Sequence, residues 1–105
     1  MSRLSTHVLD TSAGKPAAGV RVRVYGARGE IASAMTDKDG RCASLLPEGD
    51  ALQAGNYRLV FDVASYFETC FYSEVAISFI VLDPSAHHHV PLLVSPFGYT
   101  TYRGS

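Results

Sequence analysis

His7, His87, His88, His89 and Arg41 are the side chains in this sequence best suited to moving protons and gripping an oxygen-rich ligand. An imidazole with an unperturbed pKa of about 6.5 takes up and returns a proton near neutral pH. A guanidinium offers a planar fork that meets a carbonyl or carboxylate through two contacts. Arg41 stands just beyond the turn Asp37-Lys38-Asp39-Gly40, where an arginine is ordinarily a solvated charge. It gains a role only if other groups converge on the same ligand. The Asp37, Asp39 and Gly40 spacing superficially resembles the start of a calcium loop, but a tight turn is the preferred reading. A His-x-His pair such as His87 and His89 places two imidazoles on one strand face, which would also suit a metal. No cysteine or carboxylate accompanies the pair at a recognisable spacing, so neither a metal site nor a cofactor is expected. The end of the chain is the remaining oddity. Residues 98–105 read as strand almost to the last residue, whereas domain ends are usually frayed and low in information.

The elements that would position these groups follow a period of two. Val20, Val22 and Val24 alternate with Arg21 and Arg23, putting three valines on one face of a strand and two guanidiniums on the other. Similar segments are predicted over residues 6–10, 31–36, 57–63, 74–82, 88–94 and 99–102. Turn chemistry separates them, as at Gly14-Lys15-Pro16, Asp37-Lys38-Asp39-Gly40, Asp83-Pro84-Ser85 and Ser95-Pro96-Phe97-Gly98. One stretch resists the strand reading: residues 64–71 lack a turn residue and carry Tyr66, Phe67, Cys70 and Phe71 at helical spacings, which predicts a two-turn helix. About seven or eight short strands punctuated this densely describe an all-β sandwich.

Strand parity sorts the histidines. Val90, Leu92 and Val94 form an apolar row that should face the core, so His88 lies in phase with the core while His87, His89 and Leu93 project from the opposite face. Pro91 cannot donate to a ladder and predicts an edge strand or a local break in pairing. In the first strand, Thr6 and Val8 point one way and His7 and Leu9 the other. Parity alone does not bring His7 to His89.

Composition bounds the rest. The chain has 105 residues, nine basic and ten acidic side chains and a formal net charge of -1. With no basic stripe to neutralise phosphates, nucleic acid is not an expected partner. No window approaches the ~18 apolar residues of a membrane helix, and no secretory signal is evident, so a soluble cytoplasmic protein is expected. Cys42 and Cys70 lack Cys-x-x-Cys spacing and read as two thiols rather than a disulfide. Residues 1–105 read as one domain, too small to wall off an active site alone, so self-association is expected.

Four segments together resemble the 5-hydroxyisourate hydrolases, the transthyretin-related enzymes of urate breakdown. They are Ser5-Thr6-His7-Val8-Leu9-Asp10, Thr36-Asp37-Lys38-Asp39-Gly40-Arg41, the run from His89-Val90-Pro91 through Ser95-Pro96-Phe97-Gly98-Tyr99, and Tyr102-Arg103-Gly104-Ser105. The likeness spans essentially the whole chain. Its ending separates the hydrolases from transthyretin itself, which resembles them up to Ser95-Pro96 and then ends differently. Two departures are small: His88 stands where the family usually has an aromatic, and Ser73 where a proline is common.

The resemblance implies a transthyretin-like (prealbumin-like) sandwich of two four-stranded sheets with one short helix. It implies assembly as a homotetramer, a dimer of dimers, with active sites in a channel between dimers. His7, Arg41, His89 and Ser105 correspond to the family's catalytic group, and Tyr102, Arg103 and Gly104 join them in substrate binding. The implied reaction is hydrolysis of 5-hydroxyisourate to 2-oxo-4-hydroxy-4-carboxy-5-ureidoimidazoline. Such an amide hydrolysis needs a base for water, an acid for the leaving nitrogen and a donor for the developing oxyanion. His7 and His89 would handle the water, with the assignment of the base open. Arg41 would stabilise the oxyanion, by roughly 3 kcal/mol if it acts as an oxyanion donor does. Ser105 would act through its hydroxyl or the terminal carboxylate. The rival reading is a non-enzymatic small-molecule carrier of the transthyretin type.

Overall fold

The computed structural model describes residues 4–47 and 51–104. Strand formation follows the alternation in the sequence, and nine strands result among the described residues: β1 (Leu4–Asp10), β2 (Lys15–Pro16), β3 (Arg21–Gly26), β4 (Gly29–Met35), β5 (Arg41–Cys42), β6 (Gly55–Asp62), β7 (Glu74–Val81), β8 (His88–Ser95) and β9 (Gly98–Thr101). One sheet runs β4-β3-β6-β7. The other runs β2-β1-β8-β9, with β5 also pairing β1. The second sheet thus holds five strands rather than four, two of them only two residues long.

The two sheets bury their alternating apolar faces against each other. Val22 and Val24 of β3, Leu59 and Phe61 of β6 and Val75 of β7 meet Leu4 and Val8 of β1 and Leu92 and Val94 of β8 in one core. Each fully buried side chain of this kind contributes about 1.5–3 kcal/mol relative to an exposed one. His88 joins the core side, only 6% exposed, as parity predicts, and its Nδ1 bonds the Ala86 carbonyl. Both cysteines are free; burial, with a smaller contribution from Asp37, pushes the Cys42 thiol up to about 11, so it is an inert core group.

The helix expected over residues 64–71 is absent. A single turn forms, in which the Val63 carbonyl accepts the N–H groups of both Tyr66 and Phe67. Tertiary bonds win over the helical spacing: the Phe71 N–H donates to the Pro96 carbonyl, and the Tyr66 hydroxyl donates to the buried Asp10 carboxylate at 2.9 Å. Two turns of isolated helix are too short to resist such competition. Asp10 also accepts from the Ser12 hydroxyl and the Ser12 and Ala13 N–H groups. Burial alone would raise its pKa, but these bonds together hold it below its ordinary value.

Pro91 sits in an interior strand, not an edge, because β8 lies between β1 and β9. The expected local break does occur. β8 and β9 pair from Ser95↔Gly98 to Leu92↔Thr101, lapse opposite Pro91, and resume as a single bridge between His89 and Gly104 in the same register. The Thr101 hydroxyl caps the gap by donating to the Pro91 carbonyl at 2.7 Å.

The turn carrying Arg41 is clamped onto β1 through Gly40. Its φ is +75°, and its carbonyl accepts the Val8 N–H at 2.7 Å. A Cβ at this position would run into the Val8 carbonyl oxygen. Gly40→Ala is therefore expected to destabilise the protein by more than about 2 kcal/mol. An unfolding midpoint in urea equal to that of the parent chain would contradict this.

Candidate active site

β1 is the strand on which the site is assembled. On one side it pairs in parallel with β8, matching Ser5 to His89 and His7 to Pro91. On the other it pairs antiparallel with β5, matching His7 to Arg41. Register partners share a sheet face. Ser5, His7, Arg41 and His89 therefore all stand on the outer face, away from the core. The bridge between His89 and Gly104 sets Gly104 opposite His89.

Arg41 and His89 open into one hollow of about 320 Å³, shared with Ser5, Thr6, Ala43 and His87. The Arg41 backbone is fixed at both ends of its turn. Its N–H donates to the Asp37 carboxylate at 3.0 Å, and its carbonyl accepts the Asp37 N–H at 3.0 Å. Hydrogen bonds from the Arg41 and Asp39 N–H groups hold the Asp37 carboxyl below its ordinary range. A carboxylate thus shapes the turn that presents the guanidinium.

His7 sits beside this hollow rather than in its wall. Its Nε2 lies 2.9 Å from the Asp39 carbonyl oxygen. A carbonyl only accepts, so Nε2 carries the hydrogen and, in the neutral ring, Nδ1 holds the lone pair. His89 is anchored through the other nitrogen, its Nδ1 lying 2.8 Å from the Ser5 hydroxyl. Gly104 covers the Cδ2 edge of the His89 ring. A Cβ on Gly104 would fall 2.5 Å from His89 Cδ2 and 3.2 Å from Pro91 Cγ, so only glycine lets the backbone at residue 104 lie this close.

Tyr102 and Arg103 do not enter the hollow that holds Arg41. They line a second, apolar one of about 250 Å³ with Ile77, Phe79, Ile80 and Thr101, which His89 also borders. Ser105 lies outside the described residues. Sequence reasoning missed Ser5, whose hydroxyl touches both His87 and His89. Its signal was its place two residues before His7, on the same strand face. Among the described residues, no group of three or more His, Cys, Asp or Glu is arranged to hold a metal ion.

Burial, above all, and then the positive fields of His87, Arg41 and His7 hold the His89 imidazole below its ordinary 6.5, with a hydrogen bond to the Ser5 main chain opposing. Folding thus favours neutral His89. Its contribution to stability is complete above the unfolded value of about 6.5 and is lost as pH falls through the lower folded value. In an NMR titration, the His89 ring protons are expected to show a midpoint below 6.5. A midpoint above it would contradict the burial argument.

Comparison with known proteins shows the family and the fold. Residues 4–104 match the HIUase/Transthyretin family. A 5-hydroxyisourate hydrolase of Caulobacter vibrioides is 47% identical over 117 aligned positions, covering 100% of both chains. The structure of Klebsiella pneumoniae 5-hydroxyisourate hydrolase superposes with a TM-score of 0.89 at 36% identity, covering 100% of this chain and 94% of that one. Sea bream transthyretin in complex with thyroxine superposes with a TM-score of 0.85 at 33% identity, covering 97% and 94%. The matched family, the full-length identity and the shared sandwich agree: this chain belongs to the HIUase/Transthyretin family.

Proposed function

We propose that this protein hydrolyses 5-hydroxyisourate, opening its ring by attack of water on an amide carbonyl. The observation that carries this reading is the likeness over the whole chain to proteins named 5-hydroxyisourate hydrolases. The register that sets His7, Arg41 and His89 on one face supports it. Neutral His89 takes a proton from water at Nε2 as the water oxygen bonds to the carbonyl carbon. His7 orients that water through the lone pair on Nδ1. Arg41 stabilises the charge that develops on the carbonyl oxygen. Collapse breaks the carbon–nitrogen bond, and His89 returns the proton to the leaving nitrogen. Gly104 seats the chain end against His89, Tyr102 and Arg103 close the substrate space, and Ser105 assists through its hydroxyl or terminal carboxylate. The guanidinium and imidazoles suit a small polar substrate better than a large apolar ligand of the carrier type.

Enclosure of the site comes from assembly as a homotetramer in this proposal. The hollow lies open on the outer sheet face. The eight-residue edge strand β7 carries no charge beyond Glu74, and Ile80 and the neighbouring Leu82 are 63% and 85% exposed. Long uncharged edges and exposed apolar side chains invite pairing with another chain. The cytoplasmic setting belongs to the same reading, supported by two free thiols.

The direct test generates 5-hydroxyisourate from urate with a uricase and follows its decay optically. Added protein is expected to accelerate the decay, also after exhaustive chelation. Decay at the spontaneous rate would refute the enzyme. Deleting residues 102–105 is expected to abolish turnover in a protein that stays folded by circular dichroism; retained turnover would remove the chain end from the site. Sedimentation velocity is expected to give the mass of four chains, and a monomer at micromolar concentration would overturn the assembly.

A further inference from the structure

Ser5 lies between two imidazoles. Its hydroxyl oxygen is 2.8 Å from His89 Nδ1 and 2.8 Å from His87 Nε2. Ser5 is only 7% exposed, and the two rings lie nearly parallel, 6.4 Å apart with 26° between their planes. We propose that Ser5 and His87 are positioning residues for His89, the serine hydroxyl selecting which nitrogen of His89 carries the proton. The proposal rests on the hydrolase reading for its kinetic consequences, but the geometry stands apart from it.

A hydroxyl has one hydrogen, so it donates to one imidazole and must accept from the other. That leaves two arrangements. In the first, Ser5 donates to His87 Nε2, His89 donates from Nδ1 to Ser5, and His89 Nε2 bears a lone pair. In the second, His87 donates from Nε2 to Ser5, Ser5 donates to His89 Nδ1, and the His89 proton sits on Nε2. Only the first gives a His89 that can take a proton from water at Nε2. When it does so, the ring becomes an imidazolium whose Nδ1–H still donates to Ser5, so no hydrogen bond in the chain is reversed. The same proton then leaves from Nε2 to the departing nitrogen, and the first arrangement is restored. His87 serves throughout as the acceptor that keeps the Ser5 hydrogen turned away from His89. Burial and the positive groups around His89 favour its neutral ring at rest.

The fold does not depend on this hydroxyl. Ser5 and His89 are held opposite each other by the backbone ladder between β1 and β8, whatever their side chains bond. Removing the hydroxyl should therefore leave the sheet and remove the side chain's hold on the tautomer.

The test combines ¹⁵N NMR of the histidine rings in the full-length protein with steady-state kinetics. At a pH above the His89 titration, the parent protein is expected to hold His89 with its proton on Nδ1. Ser5→Ala and His87→Leu are expected to move the proton largely to Nε2 and to lower kcat about tenfold or more, with KM changed less than about twofold. Ser5→Thr keeps the hydroxyl, and His87→Gln keeps an amide oxygen that can accept from Ser5. Both are expected to keep the parent tautomer and to return kcat to within about threefold of the parent. If Ser5→Ala loses its fold by circular dichroism, His87→Leu, at an exposed position, carries the test. An Nδ1 proton on His89 unchanged in the folded variants, or a parent protein with its proton on Nε2, would overturn the proposal. If the parent failed to hydrolyse 5-hydroxyisourate, the function would fall while the tautomer measurement still decided the role of Ser5.

Discussion

The parallel ladder between β1 and β8 is the constraint on which the rest of this molecule depends. It pairs Leu4 with His88 through Asp10 with Val94, joining the two ends of the chain in the middle of one sheet. One register satisfies both faces at once. Leu4, Val8, Leu92 and Val94 turn inward to the core, and Ser5, His7 and His89 turn outward together. A slip of one residue in either strand would exchange these sets, burying imidazoles without partners and exposing the apolar row. The hydrophobic effect that selects the register therefore also aligns the polar groups on the other side.

Around that ladder, the remaining parts of the site are held by backbone rather than by side-chain packing. Gly40 presses its carbonyl onto the Val8 N–H, and Asp37 ties both ends of the turn that presents Arg41. The Asp39 carbonyl in the same turn takes the hydrogen of His7 Nε2. One short turn thus sets the position of the guanidinium and the tautomer of an imidazole. At the far side of β8, Pro91 interrupts the pairing with β9, and the ladder resumes only at His89 and Gly104. The interruption releases Tyr102 and Arg103 from the sheet while Gly104 returns to cover the His89 ring. A proline in the middle of a strand and a glycine near the chain end serve one arrangement.

Much of this was legible along the chain. The period of two in Val20 to Val24 announced the sandwich, and the parity of residues 88–94 separated His88 from His87 and His89. The expected helix over residues 64–71 failed because spacing carries no information about distant partners. Tyr66 and Phe71 spend their hydrogen bonds on Asp10 and Pro96, some 56 and 25 positions away along the chain. Ser5 escaped notice for the same reason: a serine in a strand gains meaning only from what is placed beside it.

The sequence by itself determined which residues face in and which face out, because side-chain direction in a strand follows from parity and burial of apolar groups. It also determined where the chain turns, through its glycine, proline and aspartate punctuation. Only the tertiary structure decided that His89 stands beside Ser5 and His7 beside Arg41. Those pairings join residues 84 and 34 positions apart, and their register is set by the packing of two sheets that no local segment can see.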